Sequence, residues 1–495
     1  MPATSHLSPG ALRRINGGVQ LPGYERADTR IGVVHFGPGA FHRVHQACYF
    51  DDLLHEDRNW AICGVSLRTS AVRDALLPQD CLYTLAVLDE EPSMRVIGAL
   101  REVLVAAENP AAVFARVAAP DTRLVTATVT EKGYCLAPDG SLDFDHPDIQ
   151  RDLRSPQAPA SLVGYLVEGL RWRRQAQLPP VTVLCCDNLA DNGRRLRGAV
   201  VQLASARDKR LGDWIDAEIA FPGTMVDSIT PATDEALRSR VHSALGVEDR
   251  WPVQREAFVQ WVIESDARSS APDLRSVGVT VTDNIAGYER AKLRLLNGAH
   301  STLAYLGILA GLRTVAEAMS NPTLAEFVRS LMLDGLLPTL VAPRGLDLRQ
   351  YVDAILRRFR NPAIQHPLAQ IAWDGSQKLP FRLFGTITDA LAAGHSIERL
   401  CVPIAAWMQF VRSRALQGER VVDPWAEKLF DIGRATEGRS GSDLRRFFEI
   451  ESVFPAELIA EPRFTAALAR AYDGLAAADI TSILTAATAT GSART

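Results

Sequence analysis

The stretch "IGVVHFGPGAFHR" (residues 31–43) joins a short apolar run to two closely spaced glycines. The run over residues 31–36 is rich in β-branched side chains and stops at a glycine, which predicts a buried strand. Gly37 and Gly39 then allow a tight turn into a helix, whose first N–H groups and positive dipole can hold a pyrophosphate. The third glycine of the GxGxxG fingerprint is missing, and His42 stands in its place. We therefore predict a dinucleotide-binding turn formed by Gly37, Gly39, Ala40 and Phe41.

Strand-like and helix-like segments alternate outward from this turn. The further strand candidates are "WAICGVSL", "TRLVTATVT" and "VTVLCCDN", and helical stretches such as "SLVGYLVEGLRWRRQAQ" separate them. This alternation is typical of a parallel sheet with right-handed crossovers. Beyond about residue 285 the pattern changes, and five stretches there have helical periodicity. We predict an α/β protein with a Rossmann-type dinucleotide-binding domain over residues 1–284 and a mainly helical substrate and catalytic domain over residues 285–495.

The region after the second strand bears on which dinucleotide binds. Domains that bind NAD usually place an acid there to hold the ribose 2′-hydroxyl. Here the sequence reads "GVSLRTSAVRD", with Arg68 and Ser70 but no acid before Asp74. Because an arginine can accommodate a 2′-phosphate, Arg68 is a candidate cofactor-binding residue, and NAD and NADP both remain open with NAD preferred.

Composition and charge exclude several classes of function. The chain has 495 residues, of which 47% are hydrophobic and 23% charged, and this composition is that of a globular protein long enough for two domains. A formal net charge of −4 without a basic block argues against nucleic acid as a partner. The first residues lack the apolar core of a signal peptide, and the longest apolar helix-like run, residues 301–312, is too short to span a bilayer. A cytoplasmic protein without membrane contact is expected.

Metal binding is not expected from the sequence. The seven cysteines form no CxxC pair, and several lie in apolar runs where reduced, buried thiols are the rule. His42 and His45 could share a helix face, but no third ligand stands near them in the sequence. We expect both histidines to pack near the phosphate-binding turn.

The segment "YERAKLRLLNGAHS" (residues 288–301) has helical periodicity but carries polar groups within its apolar pattern. At about 100° per residue, Lys292, Asn297 and His300 share one side with two leucines. Polar groups on a buried face cost free energy unless each finds a partner. The segment is therefore either a satisfied core helix with a lysine that reaches solvent, or a catalytic face.

Several motifs together resemble one enzyme family. They are "GPGAFHRVHQACYFDDLL", "TVTEKGYC", "CCDNLADNG", "FPGTMVDSITP", "FVQWVIESD", "KLRLLNGAHS" and "DGSQKLP", in this order. They resemble the polyol-specific long-chain dehydrogenases, a family that includes mannitol 2-dehydrogenases and fructuronate reductases. The resemblance extends over nearly the whole chain. It implies a Rossmann-type domain, a helical C-terminal domain, an active site in the cleft between them, and metal-free hydride transfer with NAD.

The resemblance also implies roles for single residues. Lys292, Asn297 and His300 match the family's K-x4-N-x2-H signature, in which the lysine is the general base that takes the alcohol proton. Burial should lower the pKa of such a lysine from its usual value near 10.4. Asn297 and Asn188 match two amides that donate hydrogen bonds to the developing alkoxide, and His300 matches a residue that fixes a neighbouring substrate hydroxyl. Asp227 and Lys378 match positions that line the substrate cleft. The structural alternatives are a helix or turn cap for Asp227, a solvated loop residue for Lys378 and a turn residue after a strand for Asn188.

Smaller differences bear on the substrate, a small sugar acid or polyol. Lys132 in "TEKGYC" and Gln370 in "QIAWDGSQKLP" resemble the fructuronate reductases, and a second lysine suits a substrate carboxylate. The N-terminal "LPGYERADTRIGVVHFG" resembles the mannitol 2-dehydrogenases instead. We expect D-mannonate/D-fructuronate before D-mannitol/D-fructose or another polyol, and a monomer or loose homodimer. A zinc-dependent alcohol dehydrogenase and a non-catalytic sugar-binding protein are the rival classes.

Overall fold

The strand at residues 31–36 lies at the centre of a five-stranded parallel sheet, as its apolar sequence predicts. The structure is a computed structural model, and it describes residues 6–15, 17–477, 484, 485, 487 and 488. It divides into two compact units, Met1–Ala286 and Gly287–Thr495. No described helix combines the length and the apolar character that crossing a membrane requires.

The first unit contains the described strands and the first ten α-helices. The strands are β1 (Val19–Gln20), β2 (Ile31–Phe36), β3 (Ala61–Ser66), β4 (Tyr83–Leu88), β5 (Ser93–Ile97), β6 (Leu100–Val105), β7 (Leu124–Ala127), β8 (Thr182–Cys185), β9 (Thr224–Asp227), β10 (Val253–Glu256), β11 (Gln260–Glu264) and β12 (Thr280–Thr282). The helices are α1 (Pro9–Leu12), α2 (Ala40–Val44), α3 (Gln46–Leu53), α4 (Ala71–Leu76), α5 (Pro110–Val117), α6 (Pro147–Arg154), α7 (Leu162–Gln175), α8 (Asn192–Arg207), α9 (Lys209–Glu218) and α10 (Glu235–Leu245).

The remaining helices follow in chain order. The α-helices are α11 (Ile285–Ala291), α12 (Gly298–Leu309), α13 (Val315–Ser320), α14 (Pro322–Ser330), α15 (Leu348–Arg360), α16 (Leu368–Ile371), α17 (Gly375–Leu379), α18 (Gly385–Ala392), α19 (Glu398–Leu416), α20 (Ala426–Ala435), α21 (Ser440–Phe448), α22 (Ala456–Ile459) and α23 (Pro462–Ala477). Three π-helical segments interrupt this series, at Lys292–Asn297, Leu331–Leu336 and Pro380–Phe384. Short 3₁₀ helices are found at Arg26–Asp28, Leu77–Gln79, Glu131–Tyr134, Leu274–Val277 and Leu337–Thr339.

The main sheet has the strand order β6-β3-β2-β7-β8, and each neighbouring pair is parallel. The order reverses between β2 and β7, which is the switch point where open α/β sheets bind ligands at the carboxyl ends of their strands. The predicted parallel sheet is therefore confirmed. The sequence did not reveal the four-stranded sheet β1-β5-β4-β10 or the three-stranded sheet β12-β11-β9 of the same unit.

The central strand is apolar because both of its faces are covered. Val33 belongs to an apolar cluster on one face of the sheet, whereas Val34 and Phe36 belong to a second cluster on the other. Such burial on both sides explains why β2 reads as a continuous apolar run rather than an alternating one. It also places the end of β2, and the glycine turn after it, on a rigid support.

Helix starts in both units follow from local side-chain caps. The Ser161 hydroxyl accepts a hydrogen bond from the N–H of Gly164 at the start of α7. The Asp347 carboxylate accepts from Arg349 and Gln350 at the start of α15. These contacts satisfy N–H groups that have no partner within the helix.

The helix predicted after the glycine turn is divided into two helices, α2 and α3. The division is at His45, because its backbone angles, φ −116° and ψ −93°, are not helical.

Candidate active site

Gly37 follows β2 and closes the turn that the sequence predicts to bind a dinucleotide. Its φ is +87°, its N–H donates to the Val65 carbonyl at 2.9 Å, and its carbonyl accepts from the Thr128 hydroxyl at 2.8 Å. A Cβ at this position would lie 2.1 Å from the Thr128 carbonyl oxygen. Only glycine is compatible with both the backbone conformation and this close approach.

Gly39 differs from Gly37 in that the described structure does not itself require a glycine there. It is the exposed N-cap of α2, with a φ of −71° that any residue can adopt. The nearest atom to a Cβ there would be the Gly37 carbonyl oxygen at 3.9 Å, so the protein leaves open space beside it. A phosphate group could use this space to approach the backbone N–H groups at the start of α2. The turn therefore fits a dinucleotide pyrophosphate, with Ala40 and Phe41 as its first helical residues.

His42 replaces the usual third glycine by packing against a second histidine. Its ring stacks on His35 of β2, with centroids 3.3 Å apart and planes 13° from parallel. His35 is in turn hydrogen-bonded to the Thr126 hydroxyl at 2.7 Å and to the Gly37 carbonyl at 3.1 Å. Burial lowers the pKa of His35 to about 3 and the pKa of His42 well below its usual value. The pair is thus a neutral support beneath the glycine turn.

His45 packs beside the glycine turn, as expected. Its Nε2 lies 2.9 Å from the Gln260 carbonyl, and its ring stacks on Phe41.

The structure brings together three groups that could ligate a metal ion and that the sequence did not suggest. Their ligand atoms lie within 4.8 Å of one another, and they belong to Cys135, His146 and Asp148. Asp148 already forms an ion pair, and the His146 Nδ1 caps α6 by accepting from the Asp148 N–H at 3.2 Å.

Arg68 lies after β3 and pairs with an acid that is distant in sequence. Its Nη2 is 3.0 Å from the Asp148 carboxylate, and the arginine side chain is 76% exposed. Asp148 follows the N-cap of α6, so a carboxylate is present near the end of β3 although none occurs in the sequence there. Sequence reasoning missed Asp148 because 80 residues separate it from Arg68.

Two other predicted residues of the first unit follow strands of the main sheet. Lys132 is exposed in the 3₁₀ helix after β7, and Asn188 is exposed immediately after β8. The Asp187 carboxylate ties these two strand ends together, since it accepts from the Val129 N–H at 2.8 Å and the Tyr134 hydroxyl at 2.6 Å. Burial raises the pKa of Asp187. The carboxyl edge of the sheet thus presents the glycine turn, Arg68, Lys132 and Asn188.

Asp227 is placed differently. It is the last residue of β9, it is buried, and it pairs in register with Gln260 of the neighbouring antiparallel strand β11.

Lys292 and Asn297 delimit a π-helical turn between α11 and α12. The prediction of a helix is right, but the angles derived from about 100° per residue do not apply, because a π-helix widens the turn to i→i+5 hydrogen bonds. Both residues are half-buried, and His300 follows in the first turn of α12. Arg294, from the same turn, is buried against Thr339 and Asp389. Single π-helical turns inside α-helices are frequent at functional sites.

His300 is a buried histidine with an unsatisfied nitrogen. Its ring lies 4.6 Å from Phe359 and 5.5 Å from His366, between centroids. Its Nε2 has no hydrogen-bond partner among the described residues. Burial, followed by the charges of His366, Arg358, Arg382 and Lys292, lowers the pKa of His300 well below its usual value. The residue is therefore a neutral group whose Nε2 is available for a hydrogen bond. It lies close enough to Lys292 for the charge of the lysine to lower the pKa of the imidazole.

The "DGSQKLP" segment forms α17 and the start of the following π-helix. Gly375 is required there, because a Cβ would lie 2.5 Å from the Trp407 Nε1 and 2.6 Å from the Tyr305 hydroxyl. Lys378 lies near the end of α17, 3.4 Å from the Ile371 carbonyl, and burial lowers its pKa. Gln370, the other predicted residue, is exposed on α16.

Arg382 is a functional candidate that sequence reasoning missed. It lies one turn after Lys378, in the π-helix that packs against the Lys292–Asn297 turn. Its Nη1 donates to the Ser301 hydroxyl at 2.9 Å and lies 3.4 Å from the Asn297 carbonyl. A spacing of four residues from Lys378 was the only signal available in the sequence.

Comparisons with known proteins identify the family. The model of the mannitol dehydrogenase Rossmann domain matches residues 31–276, and that of the mannitol dehydrogenase C-terminal domain matches residues 284–476. The chain is 37% identical to a mannitol 2-dehydrogenase of Phaeosphaeria nodorum, over 96% of this chain and 84% of the relative. It is 38% identical to the D-mannonate oxidoreductase of Escherichia coli, over 92% and 96%.

A solved structure supports the same assignment. The ternary complex of Pseudomonas fluorescens mannitol 2-dehydrogenase with NAD and D-mannitol has a TM-score of 0.82 and 37% identity, covering 97% of this chain and 99% of that one. The matches extend over both units and agree with the Rossmann-type sheet and the helical C-terminal region. The chain belongs to the mannitol dehydrogenase family and is an oxidoreductase that acts on CH–OH groups.

Proposed function

We propose that the protein interconverts a secondary alcohol and a ketone of a sugar acid, D-mannonate and D-fructuronate, with NAD as the hydride carrier and Lys292 as general acid and base. The observation that carries the proposal is the π-helical turn. It holds Lys292 and Asn297 on a helix with His300, whose buried Nε2 has no partner among the described residues. A buried nitrogen without a partner is available to a ligand or a water molecule, and here it lies on the same helix as Lys292 and Asn297. In this proposal residues 1–284 bind the dinucleotide and contribute Asn188, and residues 285–495 supply the other catalytic groups.

The dinucleotide supplies a hydride to the ketone carbon, or accepts it in the reverse direction. During ketone reduction the Lys292 ammonium donates a proton to the carbonyl oxygen, and the neutral amine is then reprotonated from solvent. The Asn297 amide, and that of Asn188, stabilise the negative charge that develops on this oxygen. During alcohol oxidation the Lys292 amine takes the hydroxyl proton.

His300 has a positioning role in this scheme. Because its pKa is well below the usual value, it is neutral at physiological pH and does not add a charge beside Lys292. A neutral imidazole can donate or accept one hydrogen bond at Nε2 according to its tautomer. We assign this hydrogen bond to the substrate hydroxyl next to the reacting carbon.

NAD is the proposed dinucleotide, and NADP is the alternative. Arg68 is the residue that would favour a 2′-phosphate, but its guanidinium is paired with Asp148 at 3.0 Å. The Asp148 carboxylate reduces the positive charge offered to a phosphate and is itself an acceptor for a ribose hydroxyl. The Pseudomonas fluorescens relative was solved with NAD.

The identity of the substrate is the most specific part of the proposal. Lys378 is proposed to bind it together with Lys132, Asp227 and Gln370. The curated relatives include a D-mannonate oxidoreductase at 38% identity and mannitol 2-dehydrogenases at nearly the same identity, so overall similarity supports both substrates. D-Mannitol/D-fructose is therefore the second candidate, favoured by the solved complex with D-mannitol.

The test is the initial rate of NADH oxidation by the purified protein with D-fructuronate or D-fructose, repeated with NADPH. We expect the highest kcat/KM with D-fructuronate and NADH. Lys292→Ala should lower kcat by about 10²–10⁴-fold, the usual contribution of general acid–base catalysis, with unchanged thermal unfolding. Lys209→Ala is the control, because Lys209 is an 82% exposed lysine on α9.

Two results would contradict the proposal. A higher kcat/KM with D-fructose would make D-mannitol/D-fructose the substrate pair. Full activity of the folded Lys292→Ala protein would remove the lysine from the mechanism.

A further inference from the structure

Arg382 is a partly buried arginine without an acidic partner. Its contacts among the described residues are with the Ser301 hydroxyl and the Asn297 carbonyl, both through Nη1. Other arginines of the same unit behave differently, since Arg294 pairs with Asp389 and Arg399 with Asp334. Taking a cation out of water without a counter-ion is costly, so such a group is usually completed by a ligand or serves a function.

The surroundings of Arg382 are also cationic. Burial and then the charge of Arg382 lower the pKa of Lys378, which forms no ion pair among the described residues. The groups whose charges lower the pKa of His300 are His366, Arg358, Arg382 and Lys292. Asp374 and Asp423 act on Lys378 in the opposite sense, but neither forms an ion pair with Lys378 among the described residues. Lys378 and Arg382 are therefore two neighbouring cations, and neither forms an ion pair among the described residues.

We propose that Arg382, with Lys378 beside it, forms a subsite for the carboxylate of the substrate; this inference rests on the proposed function and names the residue that selects an acid over a neutral polyol. The Ser301 hydroxyl and the Asn297 carbonyl hold one side of the guanidinium through Nη1. The Nε and Nη2 groups have no acceptor among the described residues, and a planar guanidinium can bind a carboxylate through two parallel hydrogen bonds. Lys378 adds a second positive charge one turn earlier.

A structural role is the rival interpretation. Arg382 could simply tie its π-helix to α12 through Ser301. The two roles differ in their effect on ligands, because a carboxylate-binding arginine discriminates between an acid and a neutral polyol of equal length. A tie between helices affects both ligands alike.

The experiment compares binding of D-mannonate and D-mannitol to the full chain by isothermal titration calorimetry, with and without NADH. D-Mannonate with NADH forms an unreactive complex, so binding is measured apart from turnover. For Arg382→Gln we expect about 30-fold weaker binding of D-mannonate, the usual order for a charge-assisted bidentate pair, and less than about a threefold change for D-mannitol. Arg414→Gln is the matched control, since Arg414 is likewise partly buried but pairs with Glu419; it should bind both ligands as the wild type does.

Three results would overturn the inference. In the first, the wild type binds D-mannonate no more tightly than D-mannitol. In the second, the Arg382→Gln protein keeps the wild-type affinity for D-mannonate. In the third, Arg382→Gln lowers the affinities for both ligands by the same factor. If the Arg382→Gln protein does not fold, the same binding measurements on Arg382→Lys test the inference instead. It keeps the charge but loses the planar fork, so it should weaken D-mannonate binding alone, by about fivefold; a loss of neither or of both overturns the inference. Selective D-mannonate binding by a protein that turns over neither ketone would refute the proposed function and leave the subsite standing.

Discussion

At the scale of single residues, the protein restricts one of the two glycines of the turn to glycine but not the other. Gly37 is fixed by the protein itself, through its positive φ and the nearby Thr128 carbonyl. A Cβ at Gly39 would have the Gly37 carbonyl oxygen, at 3.9 Å, as its nearest neighbour beyond the adjacent residues. The sequence presents both as one motif, and only the structure separates the glycine needed for folding from the one that leaves room for a ligand.

This difference leads to a prediction about the two alanine variants. Gly39→Ala should unfold at the wild-type temperature but show at least a tenfold higher KM for NADH, because its methyl group occupies the space beside the N–H groups of α2. Gly37→Ala should instead lose about 1–3 kcal/mol of stability through backbone strain and steric conflict. Thermal unfolding and NADH titrations of both variants measure this. An unchanged KM in Gly39→Ala would mean that the phosphates do not approach the turn at this point.

Residues of the candidate site differ in how far the sequence revealed them. Lys292, Asn297 and His300 stand within nine positions of one helix, so a local pattern was sufficient to single them out. Arg382 depends on Ser301, 81 positions earlier, and Asp148 on Arg68, 80 positions earlier. No local pattern contains such pairs.

At the scale of elements, the second unit uses π-helical turns where its candidate residues lie. The Lys292–Asn297 turn packs against the Pro380–Phe384 turn, which carries Arg382. The sequence predicted a helix at the first of these turns but not its widened geometry, because apolar periodicity does not distinguish the two geometries over so few residues. It did not predict a helix at the second turn. Here Gly375 permits the close packing of α17 against Trp407 and Tyr305.

A pair of glycines tests this packing. Gly375→Ala should destabilise the protein by about 1–3 kcal/mol, because the added methyl group would meet the Trp407 and Tyr305 side chains at 2.5 and 2.6 Å. Gly385→Ala adds the same group at the start of α18, where nothing lies within 4 Å, and should stabilise the helix by about 0.5–1 kcal/mol. Urea unfolding of both variants provides the comparison. Equal effects of the two substitutions would show that α17 can move away without cost.

At the scale of the whole molecule, buried neutral histidines link stability to pH. His35, His42 and His300 all have pKa values below the usual one because burial disfavours their charged form. The unfolded chain takes up protons at these histidines below about pH 6.5, whereas the folded chain does not. Their contribution to stability is therefore present above this pH and is lost as the pH falls.

The measurable consequence is a fall in thermal stability between pH 7.5 and 5.5. With a folded pKa of about 3, His35 alone should account for about 1.4 kcal/mol at pH 5.5. His35→Asn removes the titrating group, so its unfolding temperature should depend less on pH, whatever its absolute stability. His242→Asn, at an exposed position on α10, should keep the wild-type dependence. An identical pH dependence in wild type and His35→Asn would mean that His35 is not buried in the neutral form.

The sequence by itself determined the parallel sheet, its glycine turn, the helical C-terminal region and the polar trio on the Lys292 helix. Each of these rests on short-range periodicity, glycine placement or residue spacing, which are properties of neighbouring residues. The tertiary structure alone decided the pairing of Arg68 with Asp148, the π-helical geometry, and the placement of Arg382 near His300 with no acidic partner among the described residues. These features depend on which segments, distant in sequence, pack together and bury polar groups. Burial removes water from a titratable group, which shifts its pKa and makes a hydrogen-bond or ionic partner necessary.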